Sequence, residues 1–92
     1  MKQKEIEKKV IEITMRVAQE KSLDPGEIKP RMRFIQDVGL KSLDMARIIA
    51  LLEAEYPYDP FAELVPITSI RTIDDLAGAY FQAWEADGAN AS

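Results

Sequence analysis

Asp37-Val38-Gly39-Leu40-Lys41-Ser42-Leu43-Asp44-Met45-Ala46-Arg47-Ile48-Ile49-Ala50-Leu51-Leu52-Glu53-Ala54-Glu55-Tyr56 is the stretch on which the fold turns. From Ser42 to Tyr56 it holds neither Gly nor Pro and is rich in helix formers, so it reads as a helix. Pro57 and Pro60, on either side of Tyr58-Asp59, stop it. Gly39 allows a sharp turn just ahead, which puts Ser42 at the mouth of the helix. There its hydroxyl lies beside backbone N–H groups without intrahelical partners, at the positive end of the helix dipole. A phosphodiester attached at that point is electrostatically favoured. The plainer reading, an ordinary serine N-cap ahead of an apolar run, stands beside it.

The flanks supply what this helix packs against. In residues 3–22, Ile6, Val10, Ile13 and Val17 recur at helical spacing, Ile11 and Ala18 widen the stripe, and Lys and Glu fill the rest. Asp24-Pro25-Gly26-Glu27 supports a short helical turn at most, and Pro30 follows. Residues 23–41 are therefore expected to form a long loop, anchored where Met32, Phe34, Ile35 and Val38 reach the core. Residues 60–70 hold Phe61, Leu64, Val65, Ile67 and Ile70 around Pro66, enough for a helical turn or two. The last helix is the best marked. Thr72 caps it, Asp75 sits three residues on, and Ile73, Leu76, Ala77, Tyr80, Phe81 and Trp84 share a face. The aromatic stripe Tyr80, Phe81 and Trp84 is expected in the core, and Asp74 and Asp75 read as first-turn stabilisers, not metal ligands. The expected fold is all-α, a three- to four-helix bundle with a long loop between the first and second helices. Residues 1–85 form its single domain and 86–92 a flexible tail.

Composition narrows the chemistry. Of 92 residues none is Cys or His, so there is no disulfide, no thiolate nucleophile and no imidazole to activate a serine. Catalysis by this chain is not expected. Ten basic and seven acidic residues lie in positions 1–41, against two and nine in positions 42–92. The acidic second half repels nucleic acid and favours partners with Lys or Arg patches. The charged start, Met1-Lys2-Gln3-Lys4-Glu5, lacks the apolar run of a signal peptide or membrane span, so a soluble, cytoplasmic protein without membrane insertion is expected.

An acidic residue, an apolar residue, Gly, two residues, then Ser-Leu at a helix start is the mark of the phosphopantetheine carrier proteins. Asp37, Val38, Gly39, Ser42 and Leu43 stand at those positions. The amphipathic first helix, the long loop, the chain length and the closing Thr72-Ile73-Asp74-Asp75-Leu76 extend the resemblance over about residues 5–84. The chain thus resembles the acyl carrier protein family, as a specialised member. The resemblance implies 4'-phosphopantetheine bound covalently to Ser42, placed there from coenzyme A by a phosphopantetheinyl transferase. Acyl cargo then rides as a thioester between loading and condensing enzymes of fatty-acid, polyketide or related biosynthesis. The thiol belongs to the cofactor, so the missing cysteine is no obstacle.

The resemblance further implies a partner-binding face, for which Lys41, Leu43, Asp44, Met45, Arg47 and Glu53 are the candidates here, with Glu55 beside them. It implies an apolar slot for the acyl chain, with Phe34, Ile49, Leu52, Ile67, Ile70, Leu76 and Tyr80 as candidate lining; core packing is the plainer account of each. Monomeric state is implied in the same way. Two positions depart from the family. The residue before the serine is most often Asp and here is Lys41, and Arg47 stands on a face that is commonly acidic. The nearest other reading is a peptidyl or aminoacyl carrier, which shares fold and serine. A reading of another class is a helical protein-interaction module in which Ser42 only caps a helix.

Overall fold

The computed structural model describes residues 2–61 and 66–86. It has three helices, α1 (Lys2–Glu20), α2 (Ser42–Glu55) and α3 (Ile73–Ala86), with a single 3-10 turn at Ile67–Ser69 ahead of α3. Of the expected tail 86–92, Ala86 is the last residue of α3 and the rest lies outside the described residues, as do Leu64 and Val65. Among those described, the nearest thing to a strand is one isolated antiparallel bridge, Arg33 with Thr72.

Three amphipathic faces meet in one core. The predicted stripe of α1 is buried, Ile6, Val10, Ile13 and Val17 together with Thr14 and Ala18. From α2 come Ile48, Ile49 and Leu52, and from α3 Ile73, Leu76, Ala77 and Tyr80. Ion pairs fix the direction of packing: Lys9 reaches Glu55 while Lys21, just past α1, reaches Asp44, so α1 runs antiparallel to α2. Lys2 lies over the rings of Tyr56 and Trp84, which sets α1 antiparallel to α3 as well. The mouths of α2 and α3 therefore share one end of the bundle.

The loop from 21 to 41 is pinned at several points. Ile28, Phe34, Val38 and Leu40 are buried. Ile35, expected as an anchor, is 50% exposed. The physical reason is that consecutive residues of a turn point apart, so burying Phe34 turns its neighbour outward. Gly26 takes a left-handed φ of 72°, which leaves no helical turn at Asp24–Glu27. The aromatic stripe of α3 also divides: Tyr80 is fully buried, whereas Phe81 and Trp84 are half-buried and stack on each other at 5.6 Å. Tyr80 packs among Tyr56, Tyr58 and Phe61, and burial drives its hydroxyl well above the ordinary tyrosine range.

Candidate functional site

A tight turn delivers Ser42 to the surface. Asp37 accepts the Arg33 backbone N–H at 2.7 Å and pairs with its guanidinium, while Leu40 N donates to Phe34 O at 3.0 Å. Gly39, at φ 93°, then reverses the chain in a conformation costly for any other residue. The Arg33 side-chain hydrogen bond, together with the backbone one, holds the Asp37 carboxyl below its usual range.

The N-cap is Lys41, extended at φ −114° and ψ 171°. A lysine side chain offers no acceptor to the orphan N–H groups of the first turn. Asp44, three residues on, serves the end from the other side: its carboxylate accepts the Lys41 N–H at 2.8 Å and its own N–H donates to Lys41 O at 2.9 Å. Ser42 is then the first helical residue and not the cap, which corrects the plainer reading of this serine. A capping oxygen has to sit one residue before the first helical one. Ser42 is exposed, and among the described residues no hydrogen bond engages its hydroxyl.

The end of α1 braces this helix mouth. Lys21 donates to the Asp44 carboxylate, and Arg47 makes a two-pronged pair with Glu20 at 2.8 and 2.9 Å. The Lys21 contact, then the Lys41 N–H, lowers the Asp44 pKa; Arg47 does the same for Glu20. Of the six candidate partner-binding residues, Asp44 and Arg47 are thus engaged within the chain. Lys41 and Glu53 are exposed, Leu43 is 82% exposed, and Met45 is half-buried. Glu55 is exposed and pairs with Lys9.

Beside Ser42 opens a mostly apolar cleft of about 270 Å³. Ser42, Met45, Ala46 and Ile49 of α2 form one wall, Ile67, Thr68 and Ile70 the other, and Ile35 closes the loop side. Ile49, Ile67 and Ile70 among the expected slot residues meet here. Phe34 borders a neighbouring cleft, while Leu52, Leu76 and Tyr80 lie in the bundle interior. Ile35, Met45, Ala46 and Thr68 also line the cleft and are not among the slot residues the sequence suggests. An alanine on a helix and an isoleucine in a loop carry no periodic signal that marks a cleft. Among the described residues no group of three or more His, Cys, Asp or Glu is placed to hold a metal, and no helix is long and apolar enough to cross a membrane.

A three-helix bundle that presents an unengaged serine hydroxyl at a helix mouth, with an apolar cleft beside it, has the form of a carrier domain. Comparison with known proteins agrees. No family model matches the chain. It is 34% identical over 68 residues to the acyl carrier protein of Helicobacter hepaticus (strain ATCC 51449 / 3B1), covering 73% of this chain and 84% of that one. It is 34% identical over 62 residues to acyl carrier protein 2, mitochondrial, of Arabidopsis thaliana, covering 66% of this chain and about half, 49%, of that relative. The fold matches the solution structure of MacpD, an acyl carrier protein from Pseudomonas fluorescens involved in mupirocin biosynthesis. The TM-score is 0.76 at 40% identity, over 87% of this chain and 71% of that one. The chain belongs to the acyl carrier protein family, and its function is that of a carrier. Proteins of this family are in general non-catalytic, carry phosphopantetheine and work with biosynthetic enzymes.

Proposed function

We propose that Ser42 is the attachment point of 4'-phosphopantetheine, and that the chain tethers acyl intermediates as thioesters on that arm for successive biosynthetic enzymes. The observation that carries this reading is the hydroxyl itself: it is exposed at the first residue of α2, one position past the cap residue Lys41, and so is not used in capping. A serine consumed as a cap would offer its oxygen less readily. The helix start also favours the phosphodiester, since the first N–H groups and the dipole both attract negative charge. Lys41 adds a full positive charge next to it in the chain.

The arm works by tethering. A thioester held on a flexible linker meets each partner at high effective concentration, so weak docking suffices for transfer. Leu43 and Lys41 form the exposed approach to Ser42, Met45 offers an adaptable apolar contact on the cleft side, and Glu53 lies on the same helix. Asp44 and Arg47 serve docking indirectly, by holding the mouth of α2 against α1. The phosphopantetheinyl transferase is the first of these partners. Loading and condensing enzymes follow.

Intact mass after incubation with coenzyme A and a broad-specificity phosphopantetheinyl transferase tests the assignment. The native protein gains one phosphopantetheine and Ser42→Ala gains none. Gain on the variant moves the arm to another residue, and no gain on either, with folded samples, removes the carrier assignment from Ser42.

A further inference from the structure

The apolar cleft beside Ser42 has a neighbour. Ile35, Met45 and Ile70 line it and also line a second cleft of about 330 Å³, whose remaining walls are Arg33, Phe34, Gln36 and Arg71. The two spaces share one partition of three apolar side chains. Their linings differ: the first is mostly apolar, while the second includes Arg33, Gln36 and Arg71.

The wall of the second cleft is built, not incidental. Loop residues 32–34 and the segment 71–73 are laced antiparallel: Phe34 N donates to Arg71 O at 3.0 Å, Ile73 N donates to Met32 O at 3.1 Å, and Arg33 faces Thr72 across an isolated bridge. Arg33 and Arg71 both line the second cleft. Their states are unequal. Arg33 is paired with Asp37 at 3.2 Å, so its charge is compensated. Arg71 makes no ion pair among the described residues and is exposed.

We propose that the paired clefts select acyl cargo carrying an anionic or strongly accepting oxygen group beyond an apolar stretch, with Arg71 as the residue that reads it. This rests on Ser42 as the attachment point. A chain folded back from Ser42 meets Ala46, Ile49, Ile67 and Ile70 first, where only hydrocarbon is welcome. Whatever passes the Ile35, Met45 and Ile70 partition then meets Arg71. A plain alkyl end there displaces water from a guanidinium and returns no hydrogen bond, an unfavourable exchange. A carboxylate or ketone oxygen at the same place accepts from Arg71, and a carboxylate forms a charge-assisted, two-pronged bond. The unpaired arginine therefore discriminates between chains of equal length and different oxygenation.

The test uses the full chain loaded enzymatically with two arms of stable amide linkage, octanoyl and suberyl, which differ by a terminal carboxylate. Intact mass verifies loading, and side-chain NMR follows the arginine Nε–H and the isoleucine methyls. Both cargoes are expected to shift Ile49 and Ile67. Only the suberyl arm is expected to shift the Arg71 Nε–H, and Arg71→Gln is expected to reduce its additional methyl shifts to those of the octanoyl arm. Equal spectra for the two loaded forms, with Arg71 unmoved, overturn the proposal and leave the Ser42 assignment standing. Failure of the native chain to gain mass overturns both.

Discussion

α2 and α3 begin at the same end of the bundle with related sequences, Lys41-Ser42-Leu43-Asp44 and Thr72-Ile73-Asp74-Asp75, and end up with opposite uses of a hydroxyl. In α3 the hydroxyl sits on the cap residue and is consumed: Thr72 Oγ1 accepts the Asp75 N–H at 3.1 Å, and the Asp75 carboxylate accepts the Thr72 N–H at 3.0 Å. In α2 the acid is again three residues past the cap and again accepts the cap N–H, but the hydroxyl has moved one position inward. Ser42 is left free, and Lys41 holds the cap position with nothing to give. A one-residue shift of a hydroxyl thus separates a structural helix start from a chemically available one. The mouth of α2 is instead tied by its side chains to the α1 end, Asp44 to Lys21 and Arg47 to Glu20.

The largest effect expected from breaking this contrast is at Ser42. Ser42→Ala loses phosphopantetheine loading completely by intact mass, yet changes unfolding free energy by less than about 0.5 kcal/mol in urea titration, as fits a surface residue outside any cap. Thr72→Ala reverses both outcomes. It loads normally and loses about 0.5–2 kcal/mol, because α3 forfeits its capping oxygen. An equal stability loss for the two variants would erase the distinction between the helix starts.

Lys41→Thr sharpens the comparison by giving α2 the cap that α3 already has. Since an acceptor replaces none, denaturation is expected to show a gain within about 0.5–2 kcal/mol. The smallest effect belongs to Asp44→Asn, read as melting temperature against pH. The Asp44 pKa is lowered in the folded chain from an ordinary 3.8 by Lys21 and the Lys41 N–H, so its contribution is present above that value and fades as pH falls through the lowered one. The native protein is therefore expected to melt higher than the variant at neutral pH, with the gap closing below about pH 4. A gap that persists at acid pH would remove charge from the bracing of α2.

Much of this was open to reading. Helical periodicity in α1 and the paired cap signals of α3 are local, and local signals survive folding: the stripe at Ile6, Val10, Ile13 and Val17 is buried, and Thr72 and Asp75 bond as their spacing predicts. The motif around Gly39 located the helix mouth. What stayed hidden was relational. No spacing rule ties Lys21 to Asp44 or Arg47 to Glu20 across 23 and 27 residues, so the sequence offers Asp44 and Arg47 as candidate docking residues without showing these contacts. The cleft wall at Ile35 was hidden for a similar reason, since a loop has no period that tells which of Phe34 and Ile35 turns inward. The shift of Ser42 from cap to first helical residue is a difference of one position, finer than sequence periodicity resolves.

The lacing of loop and helix at residues 32–34 and 71–73 has a consequence for time as well as shape. The amides of Phe34, Ile73 and Asp74 each donate to a carbonyl on the other segment, Asp74 to Pro30 at 2.8 Å. A backbone N–H exchanges with solvent only when its bond opens, so the Phe34 amide, though in a loop, opens together with the start of α3. In deuterated water it keeps the clock of a helix. On the proposed loading, this laced wall of the second cleft is expected to open no more readily than the start of α3.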